Sequence, residues 1–177
     1  MKKTLVILLA MGLAVGLAAA GQTTAPVVNF KTLQNYLPKI DLAGFTKGKP
    51  QGSSASMMGM STSEASLRYE KESGDATISI EIKIVDVAGT GFMAMGAAMM
   101  GMTQFSNETE NGYEKSVKYQ GFSGTEKVEK GEGASAEITL FVASRFVVTL
   151  EANGTGDIAL LKKLLDSMNL GELAKAK

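Results

Sequence analysis

The sequence predicts an α+β domain, an antiparallel sheet of about six strands with helices packed on it. Three observations carry this. Apolar and polar residues alternate from Ser63 to Ile84, broken once at Ser73-Gly74-Asp75, and a period of two is the mark of half-buried strands joined by a hairpin. Four further segments of strand character lie between Tyr113 and Ala152, with glycines at two of the breaks. Segments with helical spacing stand at both ends, and strands grouped between helices make a sheet covered by helices.

The elements follow in order. Lys2 and Lys3 precede an apolar run from Thr4 to Leu17, and Ala18-Ala19-Ala20 supplies small residues at a cleavage site. Residues 1–20 therefore read as a signal peptide, cut after Ala20. The apolar run is shorter than the roughly 20 residues of a membrane span and holds Gly12 and Gly16. The two-lysine start and the short apolar run indicate bacterial export, to the periplasm or beyond it, with no transmembrane span after cleavage. Without cysteine there is no lipid-acceptor residue. Residues 21–28 are expected to be a flexible N-terminus, and residues 29–177 a single α+β domain.

Asn29 is placed to cap a short helix carrying Phe30, Leu33 and Leu37, which Pro38 ends. Residues 41–56 hold Gly44, Gly48, Pro50 and Gly52 and read as a loop. The first hairpin buries Ser63, Ala65, Leu67 and Tyr69 on one strand and Ile78, Ile80, Ile82 and Ile84 on the next. Residues 89–103 carry no charge and read as a buried helix weakened by Gly96 and Gly101. Strands are expected at 113–119, 124–130, 135–143 and 146–152. The last is dense in Val147, Val148 and Leu150 and suits the middle of the sheet. Asp157 caps a final helix whose apolar face is Leu161, Leu164, Leu165 and Met168. A short tail with a final turn follows from Leu170 to Lys177.

Several segments resemble an uncharacterised family of exported bacterial proteins. They are Leu42 to Pro50 (LAGFTKGKP), Glu81 to Asp86 (EIKIVD), Asn111 to Val117 (NGYEKSV), Phe141 to Thr149 (FVASRFVVT) and Leu170 to Leu173 (LGEL). None is a catalytic motif. The element order is also similar to PsbP-like α/β sandwiches, which are mostly accessory or binding modules. That likeness lies in architecture, and architecture alone transfers no function.

Composition removes most chemistry. The 18 Lys and Arg balance 18 Asp and Glu, and His and Cys are absent. Balanced, scattered charge lacks the footprint of a nucleic-acid binder. Absent His and Cys exclude Ser-His-Asp and Cys-His catalysis, thiolate or imidazole zinc sites and iron–sulfur clusters. Glu108, Glu110 and Glu114, and Glu126, Glu129 and Glu132, are interleaved with lysines, as on a solvated sheet face. Residues 107–111 (NETEN) are read as a surface turn rather than a calcium loop. Arg68 and Arg145 are the two arginines, and Arg145 is expected to pair with a carboxylate near the sheet edge.

Methionine is the anomaly. Of 11, eight fall between Met57 and Met102. The expected use is packing, since the side chain fills irregular gaps. A second use is an apolar surface for a ligand or protein partner, built from Phe92, Met93, Met99 and Met100. A third is a soft-metal site for Cu(I) or Ag(I), with Met95, Met99 and Met102 sharing one helical face. The sequence thus predicts an exported binding or accessory protein without catalysis or cofactor, with soft-metal binding as the alternative.

Overall fold

The computed structural model describes residues 26–57, 60–74, 76–89 and 104–177. Among these, nine strands form one antiparallel sheet. In chain order they are β1 (Thr46–Lys47), β2 (Gln51–Met57), β3 (Met60–Ser73), β4 (Ala76–Gly89), β5 (Ser106–Thr109), β6 (Gly112–Tyr119), β7 (Phe122–Glu129), β8 (Ser135–Val142) and β9 (Phe146–Asn153). The helices are α1 (Phe30–Leu33, continued by a 3-10 turn over Gln34–Tyr36), α2 (Ile158–Asp166) and α3 (Leu170–Leu173).

The spatial order is β1-β3-β4-β9-β8-β7-β6-β5, with β2 also on β3. β1 and β2 both pair with β3, at Glu70 and Tyr69 and then from Ser66 to Met60. Together they make one edge. The meander from β5 to β9 brings β9 back beside β4, with Ile82 opposite Leu150 and Ile84 opposite Val148. The densely apolar last strand is therefore central, as its composition predicts.

One face of the sheet is the core. Ala65, Leu67 and Tyr69 of β3, Ile80, Ile82 and Ile84 of β4, Ile138 and Leu140 of β8, and Val148 and Leu150 of β9 are buried together. Leu33 and Leu37 cover them from the N-terminal segment, and Leu161, Leu164, Leu165, Leu170 and Leu173 from the C-terminal helices. The cause is the period of two, which puts every second side chain on one face. The other face carries Glu81, Lys83, Thr139 and Thr149, which are half-buried.

The expected caps are present. The Asn29 side chain accepts from Lys31 N–H at 2.9 Å and Asp157 from Ala159 N–H at 3.0 Å, each satisfying an amide that the helix leaves unpaired.

Several expectations are corrected. The sheet has nine strands rather than six. The presumed loop at 41–56 contains β1 and β2; β2 is exposed at every residue, so it has no buried face for alternation to report. β5, at the opposite edge, is exposed throughout for the same reason. The N-terminal stretch is not free at its end, because Val28 is buried and its N–H donates to Asp86 Oδ2 at 2.7 Å. The final turn read in the C-terminal tail is present as α3, which buries Leu170 and Leu173. Gly89 ends β4 rather than starting a helix. The rest of that expected helix, the signal peptide and residues 21–25 lie outside the described residues.

Candidate functional site

Phe92, Met93, Met95, Met99, Met100 and Met102 lie outside the described residues, but both ends of their segment are placed. β4 ends at Gly89, and the described residues resume at Gln104, before β5, which is five strand positions from β4 in the sheet. Ser61 of β3 sits opposite Gly89, and Met57 opposite Met60 closes the β2–β3 hairpin next to it. Met57 and Met60 are 73% and 53% exposed. Phe105, just after the methionine-rich run, is also exposed. This end of the sheet thus exposes apolar side chains, while Met168 alone of the described methionines is core.

Two buried carboxylates are the other built features. Glu126 belongs to the second acidic group that sequence assigned to a solvated face, and here the assignment fails: Glu126 is 1% exposed. Gly124, Glu126 and Val128 are in phase on the covered face of β7. The Tyr113 hydroxyl donates to Glu126 Oε1 at 2.6 Å, and the Tyr119 hydroxyl donates to Oε2. Lys115 Nζ stands 3.4 Å from Oε1, and Lys162 Nζ, from α2, 3.2 Å from Oε2. Burial works to raise the Glu126 pKa, but the bonds from Tyr113, Tyr119 and Lys162 outweigh it and hold the group at about 2. Burial, and then the hydrogen bond to Glu126, push both phenols well above their usual 10. Chemically this is a fixed acceptor surrounded by donors. A general acid or base needs a pKa near the operating pH, and Glu126, Tyr113 and Tyr119 are all shifted away from it.

Asp86 is fully buried in β4. Arg145 Nε reaches both its oxygens, at 3.1 and 3.2 Å, and Nη2 reaches Oδ2 at 2.8 Å. Val28 and Ala88 donate their N–H groups to the same carboxylate. The guanidinium also donates to the carbonyls of Pro26, at 2.8 Å, and Ala176, at 3.4 Å. Arg145 does pair with a carboxylate, as expected, but in the middle of the sheet rather than at its edge. Arg68 stands 3.7 Å from Glu70 on the surface.

The turn Val142 to Arg145 presents the guanidinium. Arg145 N–H donates to Val142 O at 3.1 Å, and Ala143 and Ser144 both have positive φ, 53° and 52°. That is the type I′ pattern, which matches the twist of a hairpin but usually takes Asn or Gly. Residues 107–111 form β5 and the turn into β6, consistent with a plain hairpin. Among the described residues no group of three or more acidic side chains is placed to hold a metal, and no helix is long and apolar enough to cross a membrane.

Set against known protein families, characterised proteins and solved structures, the chain matches none.

Proposed function

We propose that this is an exported accessory protein of the bacterial periplasm or exterior, which binds an apolar group of a ligand or protein partner without catalysing a reaction. One observation carries the reading. The β2–β3–β4 register sets the exposed Met57 and Met60 beside the point where the chain enters the run holding Phe92, Met93, Met99 and Met100. Exposed methionines suit such a surface because the unbranched, polarisable side chain adapts to varied apolar shapes. The signal-peptide pattern read in residues 1–20 supports the location.

Native mass spectrometry of the protein purified from its host compartment, followed by crosslinking there, tests this. An apolar adduct or a crosslinked partner that is lost in Met57→Ser/Met60→Ser agrees with the proposal. A bare mass with no crosslinked partner overturns it. A second reading, soft-metal binding with Met95, Met99 and Met102 as ligands, draws on the preference of thioether sulfur for soft ions and on the exposure of Met57 and Met60.

A further inference from the structure

The tetrapeptide Met-Met-Gly-Met occurs twice, at 57–60 and at 99–102, each time followed by a hydroxyl residue, Ser61 or Thr103. Met57 and Met60 of the first copy are the last register pair of the β2–β3 hairpin. Seven register pairs, from Gln51 opposite Ser66 to Met57 opposite Met60, hold that end in place. Residues directly opposite on antiparallel strands share a face, with Cβ atoms about 5 Å apart. Two flexible thioethers thus start within reach of one small ion. Among the described residues packing does not account for them, because the register pairs behind them, Ser56 with Ser61 and Ala55 with Thr62, are small. Ser54 bonds to Ser63 at 2.8 Å and Ser61 to Ser56 at 3.0 Å, and both sulfur side chains face water.

We propose that Met57 and Met60 form a two-thioether site for a soft monovalent cation, Cu(I) or Ag(I). This rests on the soft-metal reading and names a ligand pair on the described part of the fold. Thioether sulfur selects soft ions, whereas carboxylate and water suit Mg, Ca and Mn. The nearest described residues, Ser56, Ser61 and Thr62, supply hydroxyls and no carboxylate, so they give a hard divalent cation no charged ligand. The absence of His and Cys removes the ligands that zinc prefers.

The test is Ag(I) titration of the purified chain carrying 13C-methyl methionine, read by native mass and by methyl NMR. The expected result is Ag(I) uptake that shifts the Met57 and Met60 methyl signals. In Met57→Leu/Met60→Leu, affinity falls about tenfold or more, while Zn(II) is not taken up by either protein. Both side chains are exposed, so the variant keeps its fold, which circular dichroism checks. Uptake that survives this variant and is lost in Met95→Leu/Met99→Leu/Met102→Leu overturns the pair and leaves the soft-metal reading standing. No Ag(I) uptake by the parent chain overturns both.

Discussion

Asp86 and Glu126 are carboxylates buried on the same covered face of the sheet, and they are neutralised by different means. Asp86 meets one planar guanidinium and two backbone amides, contributed by Val28, Ala88 and Arg145. Two of these partners lie 58 and 59 residues away in sequence, and Arg145 reaches on to Pro26, 119 residues away. Glu126 meets two phenols from the adjoining strand β6 and two lysine ammoniums. The first network ties both ends of the described chain to the centre of the sheet. The second satisfies a charge within one corner, between β6, β7 and α2. A buried charge is tolerated when donors surround it, so the sequence distance of the donors decides what else depends on them.

The largest expected effect is at Asp86. Asp86→Ala leaves the Arg145 charge without its partner and the Val28 amide without an acceptor. Breaking a buried pair by removing one partner costs about 3–5 kcal/mol, a large share of the 5–15 kcal/mol typical of a domain. Denaturant unfolding gives the loss, and amide exchange at Val28 and Ala176 rises with it. If exchange rises no more there than in the sheet, the tie to the chain ends is wrong. Arg145→Lys is milder, about 1–3 kcal/mol, because the ammonium keeps the charge but loses the fork that spans both carboxylate oxygens.

Glu126→Gln comes next, at about 2–3 kcal/mol, since the amide accepts from one phenol and leaves the other donor poorly matched. Its second signature is pH dependence. The native pKa is lowered from 4.5 to about 2, so the folded state binds fewer protons than the unfolded state between those values. The stabilisation is therefore complete above about pH 4.5 and is lost as pH falls to 2, on the order of 3 kcal/mol. Stability of the parent chain and of Glu126→Gln, measured from pH 6 to pH 2, must converge toward the acid end. Parallel curves would show that Glu126 does not carry the acid sensitivity.

These two networks also mark where sequence was legible. The alternation in β3, β4, β8 and β9 was readable because one face is buried, and so were the caps Asn29 and Asp157, whose partners are two residues away. β2 and β5 were not, since exposed edge strands bury neither face. Glu126 lies between lysines and reads as a surface charge; only its phase with Gly124 and Val128 hinted otherwise. Asp86 ends a run of alternating isoleucines in phase with them, yet its partners are set by the return of β9 to β4, which no local pattern encodes. The Met57–Met60 pairing was hidden for a similar reason, since a loop was expected where β2 runs.

The smallest effect sharpens the comparison most. Ala143 and Ser144 hold positive φ, a region that costs a residue with a Cβ roughly 1 kcal/mol or more. The turn keeps this strain while it delivers Arg145 to Asp86. Ala143→Gly removes the Cβ without touching the guanidinium, so the expected gain is about 0.5–1 kcal/mol, offset in part by the greater freedom of glycine in the unfolded chain. The same change placed in Asp86→Ala separates two accounts of the turn. If the strain belongs to the backbone alone, the gain is the same in both backgrounds and the effects add. If the buried ion pair pulls the turn into its left-handed form, the turn relaxes once Asp86 is gone, and glycine gives little. A gain that vanishes in Asp86→Ala would make the Arg145 clamp the cause of the turn geometry. An undiminished gain would make the turn a preformed support that sets Arg145 in place before the ends of the chain dock.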